Sequence, residues 1–226
     1  MLAKLDTFVA RVRKAYEDYD LHVVHRLLVD FVTVDLSAVY SDVTKDRLYS
    51  DALDSPSRRA AQVVLYECLR AVATLSAPIL AFTAEDIWAH MPRKKGDPDS
   101  VHIAQFPTAT DTASSAELVI EFGKLLAWRE KVNKALEPFR AEKRKSVDAA
   151  VTLVSDDLVL RTYADELADL FIVSDVRVTP GTSGDVTARV HTGPKCERCW
   201  KHYDKLAADP ADVCERCATA LAGLKA

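Results

Sequence analysis

Apolar residues recur three and four positions apart from the start of the chain. Leu5, Phe8, Val12, Tyr16 and Tyr19 form one stripe, and Leu21, Val24, Leu28, Phe31 and Ala38 begin a second that runs on towards Leu48. A period of 3.6 residues places such positions on one helix face, so the pattern predicts amphipathic helices that bury these stripes. Asp54-Ser55-Pro56-Ser57 interrupts the second stripe and supplies caps for a third helix, with Ala61, Val64, Leu65, Cys68, Leu69 and Val72 on its inner side. Pro78 bends the chain into a fourth helix, with Thr83 expected as its N-cap and Glu85 and Asp86 in a first turn that suits the helix dipole. The helical pattern stops at Met91-Pro92.

From Arg93 to Ser115 the chain is polar, with Gly96, Pro98 and Pro107 around a short apolar phrase, SVHIAQFP. A long helix is predicted next, with Leu118, Phe122, Leu125, Val132, Leu136 and Phe139 on one face and Pro138 set to end or kink it. After it the period changes. Segments 150–154, 170–173 with Val176 and Val178, and 186–190 are rich in β-branched residues and read as short strands. The fold class expected is therefore mostly α: a helical bundle over residues 1–107, a small α/β module over 108–190, and a cysteine-bearing tail over 191–226.

Composition sharpens this division. No glycine occurs before Gly96 and no proline before Pro56, which leaves few turn sites in the first part, as a bundle requires. The chain has 226 residues, 49% of them apolar and 28% charged, as a globular protein does. Its longest uncharged run, Ala71 to Ala84, is broken by Thr74, Ser76 and Pro78 and is too short and polar to span a bilayer. The N-terminus has no signal-peptide core, and a cytoplasmic protein without membrane association is expected. A net charge of −4 excludes a general polyanion binder, so any nucleic-acid contact must use local patches. Two basic clusters, Arg93-Lys94-Lys95 and RAEKRK from Arg140 to Lys145, are ordinarily solvated surface.

Four of the five cysteines fall in the tail as two C-x-x-C pairs, Cys196/Cys199 and Cys214/Cys217, with fourteen residues between the pairs. In a reducing compartment such pairs point to a tetrahedral site for one structural zinc ion, each pair presenting two sulfurs at one point. Four thiolates would complete the shell, leaving His202 outside it. Two disulfides are the competing arrangement, disfavoured by the compartment, and a thioredoxin-type redox motif would need a single pair. A polar segment of about thirty residues could hardly fold without such a metal, which supplies about 10–16 kcal/mol in small sites of this kind. Cys68, alone on an apolar helix face, is expected to be an ordinary buried residue. Around the cysteines, Arg198, Trp200, Lys201, His202, Tyr203 and Lys205 interleave basic and aromatic side chains, a mixture suited to unpaired bases and their phosphates. Trp200 and Tyr203 could equally shield the metal cluster.

Several phrases resemble one family, the isoleucyl-tRNA synthetases. They are VDLSAVYSDVTKDRLY (Val34 to Tyr49), LSAPILAFTAEDIW (Leu75 to Trp88), SVHIAQFP (Ser100 to Pro107), ELADLFIVSDV (Glu166 to Val176) and the terminal CERCW. The resemblance implies the anticodon-binding helical domain of a class I synthetase followed by a zinc tail, the C-terminal part of a cytoplasmic isoleucine–tRNA ligase. It further implies an isoleucine tRNA as partner through its anticodon stem-loop, a monomer, and a catalytic domain elsewhere in the parent chain. The family's nucleotide-binding H-I-G-H and K-M-S-K-S signatures have no counterpart here, and Lys143-Arg144-Lys145-Ser146 only superficially matches the second. ATP-dependent aminoacylation is thus expected of the parent and not of this chain alone. Another departure is AEKRKSVDA after Phe139, where the family carries a glycine-containing phrase. The RNA-contact candidates are Arg198, Trp200, Lys201 and Arg216 on the tail and Arg47 in KDRLY. Pairing of Arg47 with Asp42, Asp46 or Asp51 is the competing role for that residue, and Asp35 and Ser37 are expected to bond between helices. The alternatives are a glycosylase-type zinc module for duplex DNA and a zinc-stabilised protein-interaction module, neither of which accounts for VDLSAVYSDVTKDRLY.

Overall fold

The computed structural model describes residues 1–109 and 116–224. The helices are α1 (Leu2–Glu17), α2 (Leu21–Asp30), α3 (Asp42–Ser50), α4 (Pro56–Ser76), α5 (Ala81–His90), α6 (Ala116–Ala135), α7 (Glu137–Ala141), α8 (Leu158–Thr162), α9 (Leu167–Phe171) and α10 (Glu215–Ala222). The strands are β1 (Ala149–Val154), β2 (Asp175–Thr179) and β3 (Val186–Val190). The expected mostly helical architecture with a small sheet is thus observed. The polar passage read as far as Ser115 runs outside the described residues at its end, as does the tail beyond residue 224. The described residues form two compact units, 1–42 with 60–109 and 43–59 with 116–224.

In the first unit, Leu5, Phe8, Val9 and Val12 of α1 pack on Val24, Leu27 and Leu28 of α2, on Phe31, and on Cys68, Ala71 and Leu75 of α4. The Phe8 and Phe31 rings stack with centroids 4.2 Å apart. Each such large side chain, fully buried, contributes about 1.5–3 kcal/mol. Tyr19 is not part of this stripe. It stands 88% exposed at φ +61°, because α1 closes with Asp20 N–H on Ala15 O and the chain turns there. Between α2 and α3, residues Phe31–Ser41 adopt the wider π-helical turn. The wider turn explains why the second stripe drifts, leaving Ala38 exposed.

A second cluster in this unit is built on Trp88, which is fully buried and donates its indole N–H to Pro98 O at 3.0 Å. The Arg70 guanidinium lies 4.9 Å from the Trp88 ring centroid and forks onto Asp97 at 2.6 and 2.8 Å. That bidentate hydrogen bond holds the Asp97 carboxyl down at about 2. Thr83 is not the cap of α5. The helix begins two residues earlier at Ala81, and Glu85 accepts hydrogen bonds from Ser100 Oγ at 2.8 Å and Val101 N–H at 3.0 Å, fastening SVHIAQFP to it.

The second unit has a three-stranded sheet in the order β2-β1-β3, with β1 parallel to β2 (Val151 opposite Val176) and antiparallel to β3 (Val151 opposite Ala188). Leu125, Trp128, Val132 and Leu136 cover it, together with Phe139 of α7. Pro138 closes the long helix as its position predicts, sitting in the first turn of α7 after the break that follows Ala135. Residues 170–173 are not a strand. Leu167, Leu170 and Phe171 follow a helical period into the core as α9, and Ile172 at φ +57° stops that helix before β2 starts at Asp175.

Candidate metal centre

The tail follows β3 through Gly193, where an added Cβ would lie 2.0 Å from Tyr203 O, so only glycine allows the two backbone segments to approach. Lys195 and His202 pair as an isolated antiparallel bridge, with Cys196 N–H on Lys201 O at 2.9 Å and Tyr203 N–H on Pro194 O at 3.1 Å. This tight turn throws Cys196 and Cys199 to one point, while Trp200 N–H bonds back to Cys196 O at 2.9 Å. The second pair sits at the start of α10, where Cys214 is the residue before the first turn and Cys217 lies inside it. Glu197 N–H on Asp212 O at 3.0 Å joins the two halves.

The sulfurs of Cys196, Cys199, Cys214 and Cys217 all lie within 4.8 Å of one another. Those of Cys199 and Cys214 are 3.9 Å apart, matching the edge of about 3.8 Å that four sulfurs at 2.3 Å from one zinc would have. The donor set therefore fits one tetrahedral zinc, whose chemistry would be structural because no coordination position is left open. Three of the four thiols are buried and Cys199 is half-buried. Burial alone would push Cys196 up, yet the N–H groups of Cys199, Cys214 and Arg198 directed at its sulfur outweigh it and bring that thiol down to about 7. Burial pushes Cys199 and Cys217 up, as it does the Tyr203 phenol, which stands 3.5 Å from the Cys199 sulfur. Cys68 is fully buried in the helical core, which pushes its thiol up to about 11.

The basic and aromatic residues around this knuckle divide into two kinds. Trp200 is 56% exposed at φ +66°, with the Lys145 ammonium 4.8 Å from its ring centroid. The cationic candidates are engaged within the unit. Lys201 is buried and pairs with Asp169, and Arg47 approaches the same carboxylate at 3.9 Å. Arg216 grips Asp46 at 2.7 Å and Asp51 at 3.2 Å, and Arg198 donates to the carbonyls of Ser50 and Tyr49. Arg47 thus reaches Asp169 rather than Asp42, Asp46 or Asp51, the partners named for its competing role. Asp35 pairs with Lys4 between helices of the first unit. His202 points away from the sulfurs, its ring nitrogens on Gly193 O at 2.8 Å and Asp148 Oδ1 at 3.2 Å. Lys145 is the residue that spacing alone missed. It belongs to the basic run after Phe139, which is brought to the knuckle only by the fold.

Residues 1–155 match the family described as the anticodon-binding domain of tRNA ligase, and residues 193–220 match the zinc finger found in FPG and IleRS. The chain belongs to that family of anticodon-binding domains. More particularly, it is similar to curated isoleucine–tRNA ligases. It is 40% identical to that of Syntrophotalea carbinolica over 97% of this chain, 42% to that of Carboxydothermus hydrogenoformans over 99%, and 36% to that of Geobacter sulfurreducens over 97%. In each comparison the chain spans 26% of the relative's length. Among the described residues, no helix is long and apolar enough to cross a membrane.

Proposed function

We propose that this chain is the tRNA-binding, anticodon-recognising C-terminal part of an isoleucine–tRNA ligase, taking an isoleucine tRNA by its anticodon stem-loop. The zinc held by Cys196, Cys199, Cys214 and Cys217 gives the tail a fixed shape, and the tail presents Trp200 to an unpaired base. The observation that carries this reading is the placement of Trp200. A left-handed backbone position is cheapest for glycine and costs a bulky residue about 1–3 kcal/mol. An indole held there, more than half exposed, is difficult to explain by packing and is suited to stacking. Lys145 beside the ring supplies a cation for the adjoining phosphate. Arg198, Lys201, Arg216 and Arg47 serve this surface by fixing the knuckle and the helices around it.

The functional modules of this reading are residues 1–107, 108–190 and 191–226. In the parent ligase a separate catalytic domain joins isoleucine to the tRNA with ATP, and this chain by itself activates no amino acid. The protein acts as a monomer in the cytoplasm. The test is a binding titration of the zinc-loaded chain with the anticodon stem-loop of isoleucine tRNA, that of valine tRNA, and a DNA duplex. The isoleucine stem-loop should bind best, and Trp200→Ala should weaken it while leaving one zinc per chain. Equal binding of all three, or indifference to Trp200, overturns the reading.

A further inference from the structure

The segment Val43–Arg59 keeps its helix and turn with almost no apolar core of its own. None of the buried apolar residues falls within it, and its buried members are Thr44, Ser50 and Asp51, all polar. Helix α3 continues from the π-helical turn that ends at Ser41 and stops at Ser50, where its last carbonyls need partners from outside the helix. Two arginines of the cysteine knuckle reach this segment.

Arg198, between the first two cysteines, places its guanidinium at the C-terminal end of α3. It donates to Ser50 O and, at 3.3 Å, to Tyr49 O, carbonyls that carry the negative end of the helix dipole. The same nitrogen that reaches Ser50 O lies 3.5 Å from the Cys217 sulfur. Arg216, immediately before Cys217, forks onto Asp46 at 3.0 and 2.7 Å and reaches Asp51 at 3.2 Å. Asp51 in turn accepts the Ser55 and Ser57 hydroxyls, which fold the turn leading into α4. One guanidinium thus joins a cysteine sulfur to a helix terminus, and a second, one residue from a cysteine, joins the knuckle to two carboxylates.

We propose that Arg198 is a positioning residue coupling metal occupancy of the knuckle to the order of Val43–Arg59, with Arg216 as the second strut. A sulfur bound to zinc is a thiolate and accepts a charge-assisted hydrogen bond, which holds the guanidinium in the plane that meets the two carbonyls. Without the metal the knuckle has no core to keep either arginine in place, and α3 loses its C-terminal cap and its carboxylate partners together. By linkage the effect is reciprocal: weakening the α3 side must weaken metal retention. The inference stands apart from the RNA reading, since no step of it involves a nucleic acid.

The experiment uses the whole chain, loaded with one zinc or stripped by chelator, with two readouts. Amide hydrogen exchange across residues 43–59 should accelerate on stripping, while that of α1 stays unchanged. Zinc affinity, from competition with a colorimetric chelator, should be about tenfold weaker in Arg198→Gln than in the unaltered chain, the loss typical for a group that orients a metal ligand. Asp46→Asn, which touches no cysteine, should also weaken zinc binding, by a smaller factor. Exchange in 43–59 that ignores the metal overturns the coupling, as does wild-type zinc retention in Asp46→Asn. Should Arg198→Gln fail to accumulate, exchange in the unaltered chain and the zinc affinity of Asp46→Asn decide the matter.

Discussion

The helical unit and the cysteine knuckle solve the same problem with different materials. In the first, Leu5, Phe8, Val12, Val24, Leu28, Phe31 and Leu75 bury one another, and order follows from apolar area removed from water. In the knuckle the buried cluster is Cys196, Val213, Cys214 and Cys217, so three of its four members are metal donors and little apolar area remains to hold it. Around it the contacts are polar: Lys201 on Asp169, Arg216 on Asp46 and Asp51, and Lys195 and His202 on Asp148. Partial burial of these charges offsets much of their attraction, so the pairs specify where the knuckle sits once a metal has made it rigid. The first region is continuous in its tolerance, losing stability by degrees. The second is all or none.

Removing the metal should break this contrast open most widely. Chelation forfeits the contribution of about 10–16 kcal/mol that zinc makes to such a site, and Cys217→Ser part of it. The knuckle should unfold while the circular dichroism of α1, α2, α4 and α5 persists. A protein that melts as one body on chelation would abolish the distinction. Conversely, Leu75→Ala opens a cavity in the cluster that also holds Cys68 and Phe8 and should cost about 2–5 kcal/mol in denaturant melts of the helical unit. Its zinc content should remain one per chain, and a parallel loss of zinc would mean that the core and knuckle are not independent.

Trp200→Gly separates shape from use within the knuckle. Glycine relieves the left-handed strain, so zinc should be retained at least as firmly as before. Binding of the anticodon stem-loop should fall by the equivalent of about 1–3 kcal/mol, roughly 5- to 150-fold. A loss of zinc instead would make the indole a shield for the cluster. The smallest effect concerns acid. Because Arg70 holds the Asp97 carboxyl below its ordinary value, the pair's contribution is complete above that value and is lost as pH falls through about 2. Carbon NMR of Asp97 should show that midpoint, returning to the usual carboxylate range in Arg70→Met.

Much of this architecture could be read from the chain because period and punctuation are local signals. The stripe through Leu5, Phe8 and Val12, the break at Pro56 and the stop at Pro138 each act on neighbouring residues. The metal centre was equally legible, since the C-x-x-C spacing encodes the knuckle directly. What escaped was set by non-local contacts. The drift across Phe31–Ser41 reflects a wider helical turn that no single residue signals. LFIV at 170–173 reads as strand because its apolar run has no period of its own, whereas burial of Leu167 with Leu170 and Phe171 makes those residues the helix that Ile172 ends. The roles of the basic residues escaped for the same reason. Arg198, Lys201 and Arg216 look like free cations in sequence, and their partners Ser50, Asp169, Asp46 and Asp51 lie at least 32 residues away.

The account rests on a knuckle whose fixed shape is the work of its metal. Amide exchange across residues 193–217, measured with the zinc in place and after its removal, tests this most directly. Protection should vanish from that segment on stripping while the amides of α1 keep theirs. Undiminished protection in the stripped protein would contradict it.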